Sequence, residues 1–149
     1  MKSDRLIAGA ISGISASAAQ NIYGQVVKGL GITDRAFLDF AEVALLSKTF
    51  GGFWGIVIGI LSDLVFGMIL GVLFVFLLQI TSSNYLYLKG LGFSISIWFF
   101  SLAIGTMFNF TKFTVTPPVA ALVMFVGALL WGAVVAFTTK ILVRKTDLI

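Results

Sequence analysis

Within the stretch "GIVIGILSDLVFGMILG" one carboxylate, Asp63, interrupts an apolar run, with glycines four and eight residues to either side. A lone acid in hydrocarbon is costly, and desolvation disfavours its charged form. A protonated carboxyl donates one hydrogen bond and accepts another. It can therefore join helices, or it can load and release a proton or bind a cation. Height along the membrane normal suggests its partners. At about 1.5 Å of rise per residue, Asn21 lies roughly 22 Å from the start of the first apolar segment, and Asp63 returns to roughly 20 Å in the second. Asp63, Asn21 and Gln20 thus form a candidate proton or ion site, with Ser101 and Thr106 of a later segment within reach in height.

Other chemistries are excluded by composition. The 149-residue chain has no Cys and no His. It therefore lacks thiolate nucleophiles, imidazole bases and the usual ligands of zinc, haem and iron–sulfur clusters. An intramembrane aspartyl protease needs two carboxylates, and the apolar segments hold only Asp63. No phosphate-binding loop, dinucleotide fingerprint or metal-spacing motif is present. We expect no enzyme activity, no cofactor and no metal. Ten Lys and Arg against six Asp and Glu give a net charge of +4. These cations stand singly at segment ends, as membrane anchors do, so no nucleic-acid partner is expected.

These residues must be positioned by membrane elements. The mean hydropathy is +1.09 and 59% of residues are hydrophobic, against roughly 45–50% in soluble domains. The pattern predicts an all-α integral membrane protein, one domain over residues 1–149. Its four transmembrane helices run at about Leu6–Val27, Phe53–Leu78, Gly90–Phe108 and Val119–Val143. Between the first two lies a short amphipathic helix at about 34–47, capped by Thr33 or Asp34. Arg35, Asp39 and Glu42 share one of its faces and Phe37, Leu38, Phe40, Ala41, Ala44 and Leu45 the other. We read it as lying in the membrane interface; the alternative is an ordinary loop helix packed on the spans. The basic head and Ala16-Ser17-Ala18 triplet suggest a signal peptide, but the apolar run is diluted by Gly and Ser, so a retained span is expected. With both termini cytoplasmic, six basic residues (Lys2, Arg5, Lys89, Lys140, Arg144 and Lys145) face the cytoplasm and four (Lys28, Arg35, Lys48 and Lys112) face out.

The glycines complete the pattern. Gly55, Gly59, Asp63, Gly67 and Gly71 recur every four residues. So do Gly9, Gly13, Ser17, Asn21 and Gln25 in the first span. Such rows let backbones approach closely in lipid, where packing drives association. The simplest expectation is that the two rows pack on each other; a homodimer seam is the alternative. Trp98 and Trp131 are expected to be bundle-packing residues with satisfied N–H groups.

The layout, with "KTFGGFWG" closing the connector and "KGLGFSISIWFF" opening the third span, resembles uncharacterised small four-span membrane proteins of spore-forming Gram-positive bacteria. The resemblance implies a multi-pass protein of the bacterial cytoplasmic membrane and no assigned activity or functional residue. The resulting expectation is a non-enzymatic structural or accessory bundle in the lipid bilayer, homo-oligomeric or joined to another membrane protein. The alternative is a small proton- or cation-coupled transporter or channel that acts as an oligomer through Asp63.

Overall fold

The computed structural model describes residues 5–144, which form five helices and, among those residues, no strand. They are α1 (Arg5–Gly29), α2 (Phe37–Leu46), α3 (Gly52–Thr81), α4 (Leu86–Met107) and α5 (Pro118–Arg144). Three of them, α3, α4 and α5, are long and apolar enough to cross a membrane. Helix α1 has the length, but Ser12, Ser15, Ser17, Gln20, Asn21 and Gln25 dilute its hydropathy. Lys2 and Lys145, counted above for orientation, lie outside the described residues.

Around the bundle the order is α3, α1, α5, α4, so consecutive helices are not always neighbours. Helices α3 and α4 follow a four-residue connection yet meet mainly through long side chains, such as Phe74 and Phe93 with ring centroids 5.7 Å apart. Their cores join at Leu70, Phe74, Leu78, Trp131 and Val135, with Phe93 and Ile97 packed against them. The tight α3–α4 connection is closed by Lys89, whose Nζ donates to the Thr81 and Ser82 carbonyls at 2.8 and 2.7 Å. A cation there satisfies acceptors that α3 leaves unpaired and offsets the negative end of its dipole.

Glycine sets the closest contacts. A Cβ on Gly9 would lie 2.6 Å from Val72 Cα, and one on Gly13 would lie 2.8 Å from the Gly67 carbonyl carbon. Helices α1 and α3 therefore touch backbone to backbone. Gly90 and Gly132 do the same between α4 and α5. Ser94, four residues on from Gly90, completes that second seam against Gly132.

Helix α2 departs from expectation in two ways. It starts at Phe37 rather than near residue 34, and neither Thr33 nor Asp34 caps it. Asp39 does so from inside the first turn: its Oδ2 accepts from the Ala36 N–H at 2.8 Å. Asp39 also receives Lys28 Nζ at 2.8 Å on both oxygens. Glu42 accepts from the Phe50 N–H at 2.9 Å. Asp39 and Glu42 are therefore buried along with Phe37, Leu38, Phe40 and Ala41 of the apolar face, so the first turns of α2 are enclosed on both faces, while Ala44, Leu45 and Leu46 are exposed. Local backbone donators in the flanking loops draw these carboxylates inward, because a buried N–H without a partner is costly. In the loop before α2, Arg35 is hydrogen-bonded to Asp34 and holds that carboxyl below its usual range. The same guanidinium donates to the Lys112 carbonyl, and to that of Val115 at 3.0 Å, tying this loop to the one between α4 and α5.

Candidate functional site

Asp63 lies near the middle of the buried row on α3, and that row has two partners rather than one. Gly67 and Gly71 receive α1 through Gly9, Gly13 and Ser17. Gly59 and Gly55 receive α2 instead, through Leu38 and Glu42. All four glycines are buried packing positions, as is Ser17. On α1 the row turns away as it rises: Asn21 is half-buried and Gln25 exposed. Each step of four residues rotates the row by about 40°, so a long row cannot stay on one neighbour. Asp63 stands at the changeover, where α1 diverges from α3 and α2 has not yet closed on it.

The divergence leaves a cavity of about 20 Å³, lined by Asp63, Ser17, Gln20, Ser94, Phe37 and Trp131 among others. This is room for about one water-sized occupant. Asp63 is 4% exposed. Ser17 and Asn21 stand within hydrogen-bonding reach of its carboxyl, yet the contacts are not closed: Asp63 Oδ2 and Asn21 Nδ2 are both buried without a well-formed hydrogen bond. Most buried polar groups in folded proteins are paired, so an orphaned carboxylate oxygen and an orphaned amide at one place call for an explanation.

The surrounding groups could serve an occupant. Trp131 Nε1 donates to Ser17 Oγ at 3.1 Å, which leaves the serine proton for the Asp63 carboxyl beside it. Ser94 Oγ donates to the Leu91 carbonyl at 3.0 Å, which leaves its lone pairs free. The carboxylate, two hydroxyls and the Gln20 side chain thus offer hard oxygen atoms around one small volume, the kind of donor that suits protons and hard cations. No cluster of three or more acidic, His or Cys residues occurs among the described residues.

The sequence-based site is brought together in part. Asn21 and Gln20 are near Asp63 as anticipated. Ser101 is buried elsewhere and Thr106 is exposed, donating to its own Leu102 carbonyl at 3.0 Å. The polar side chain that α4 contributes is Ser94, about two turns nearer its start than Ser101. Trp131 is a bundle residue with a satisfied N–H, and so is Trp98, which donates to the Ala121 carbonyl at 3.1 Å. What sequence reasoning missed is that Trp131 orients Ser17 at the site. Comparison with protein families, with curated proteins and with solved structures finds no match for this chain.

Proposed function

We propose that this chain is a non-enzymatic four-span membrane protein that binds and releases a proton or small monovalent cation at Asp63, as a small coupled transporter or channel would. One observation carries the reading: a buried carboxyl whose Oδ2 makes no well-formed hydrogen bond lines a water-sized cavity in the middle of the bundle. A carboxyl serving only to join helices would have its hydrogen bonds made, since half-satisfied polar groups weaken a core. Asn21, Gln20 and Ser17 complete the site. The test is flux. In liposomes with an imposed pH gradient, the purified wild type is expected to dissipate the gradient and Asp63→Asn is not. A folded wild type without flux under proton or sodium gradients would leave the structural or accessory reading, which the backbone-tight α1–α3 seam favours.

On this reading α1 is the fourth span, α2 lies at the interface, and the chain works as an oligomer in a bacterial cytoplasmic membrane with both termini inside. The antiparallel run of α1 along α3 supports a fourth span, because it brings Gly9 beside Gly71 and Gly13 beside Gly67. Topology can be read in this cysteine-free chain by single cysteines at two exposed loop positions, Asn84 and Thr114. An impermeant thiol reagent applied to intact cells should label Thr114→Cys and spare Asn84→Cys. The reverse pattern would invert the orientation, and labelling of both would remove one span.

A further inference from the structure

The row on α3 has a fixed neighbour on one side of Asp63 and a movable one on the other. At Gly67 and Gly71 a Cβ would run into α1 backbone, whereas at Gly59 and Gly55 the first atoms met are the tips of the Leu38 and Glu42 side chains. Side-chain tips can rotate away, and backbone packed on backbone cannot. Helix α2 also has the form of a hinged element. It is ten residues long and is joined to α1 and α3 by residues 30–36 and 47–51. Gly31 before it, and Gly51 and Gly52 after it, have φ of 72°, 66° and 69° with nothing within 4 Å of a Cβ position. Such positions absorb a backbone rotation without a clash.

One ion pair fastens α2 to a span. Among the described residues the only salt bridge from α2 joins Asp39 to Lys28, in the last turn of α1, at 2.8 Å on both carboxylate oxygens. Glu42 bonds instead to the Phe50 N–H of its own flanking loop, a bond that moves with α2. The loop between α4 and α5 goes with it too. Arg35 donates to the Lys112 and Val115 carbonyls there, and the Phe40 ring packs edge-on against Phe113 at 5.2 Å. Behind this cap Phe37 lines the cavity that holds Asp63. In the other direction lie the backbone-tight seam of Gly13 with Gly67 and the fully buried Phe74 and Leu78. The least disruptive way into the site is therefore past Phe37.

We propose that α2 is the gate of the Asp63 cavity, with Phe37 as its plug and the Lys28–Asp39 pair as its latch. The proposal rests on ion handling at Asp63, whose access the gate regulates.

The first test reads access without flux. Purified full-length Asp63→Cys in detergent is treated with the charged thiol reagent trimethylammonioethyl methanethiosulfonate. Modification is expected to be slow, about ten-fold faster when Lys28→Gln is added, and slow again with Lys28→Arg. Thr139→Cys, at a fully buried position toward the other end of the bundle, should stay slow beside Lys28→Gln. Equal rates with and without Lys28→Gln, or an equal acceleration at Thr139→Cys, would overturn the gate. The second test locks α2. Leu38 Cγ lies 2.9 Å from the Cβ position of Gly59. One further bond of about 1.5 Å puts the two Cβ atoms within about 4.4 Å, inside the range a disulfide spans. Oxidised Leu38→Cys/Gly59→Cys in liposomes should lose proton flux and regain it with dithiothreitol; flux unaltered by oxidation would overturn the gate. A wild type without flux, with modification of Asp63→Cys still governed by Lys28, would remove the ion reading and keep the gate.

Discussion

Gly13→Leu and Gly67→Leu are each expected to abolish the folded bundle, whereas Gly92→Leu leaves it intact. A Cβ on Gly13 would fall 2.8 Å from the Gly67 carbonyl carbon and 3.0 Å from Gly71 Cα. No flexible side chain stands there to yield, so α1 would have to move bodily off α3 and forfeit the close packing that holds helices together in lipid. The cost should exceed about 3 kcal/mol, beyond the usual range for overpacking a core. Gly59 offers an intermediate case, because the atoms its Cβ would meet first belong to the Leu38 side chain, which can rotate. Gly92 is exposed with nothing within 4 Å of a new Cβ. There leucine should gain up to about 1 kcal/mol of helix propensity. Thermal melts and gel filtration in detergent would check the order Gly13 and Gly67, then Gly59, then Gly92. A Gly13→Leu protein with the melting temperature of the wild type would remove the α1–α3 seam from the account.

The second large effect concerns Asp63→Val, which should abolish ion flux while melting at or above the wild type. Valine, branched one atom nearer the backbone, fits within the space of the aspartate without overpacking it, and it removes an unpaired polar atom from a buried position. Replacing buried charged or polar groups by well-packed apolar ones is often neutral or stabilising by about 1–4 kcal/mol. Such a gain is the mark of a group retained for function at the expense of stability. If Asp63 instead joins α1 to α3, the same substitution should lower stability by roughly 0.5–2 kcal/mol, the worth of an interhelical hydrogen bond in a membrane. The two outcomes differ in sign, so unfolding measured alongside flux separates them. Loss of both stability and flux would assign Asp63 to the bundle and count against the proposed site.

Much of this architecture is a property of the sequence alone. Helices α3, α4 and α5 follow from the length and hydropathy of their apolar runs, because a buried backbone in lipid must satisfy its own hydrogen bonds. The close approach of α1 and α3 follows from two rows of small residues on consecutive antiparallel helices. The nearness of Asn21 and Gln20 to Asp63 follows from rise per residue, which fixes height whatever the packing. Height is one coordinate, however, and the site also depends on rotation about each helix axis and on which helices are neighbours. These are set by contacts far apart in the chain. Only the tertiary structure decides that α3 gives Gly67 and Gly71 to α1 and Gly55 and Gly59 to α2, and so leaves Asp63 beside a cavity at the changeover. Only it selects Ser94 over Ser101 from α4, and it turns Asp39 and Glu42 inward to serve Lys28 and the Ala36 and Phe50 N–H groups. A pattern of spacing states which residues share a face. What that face meets depends on the order α3, α1, α5, α4, which no local segment encodes.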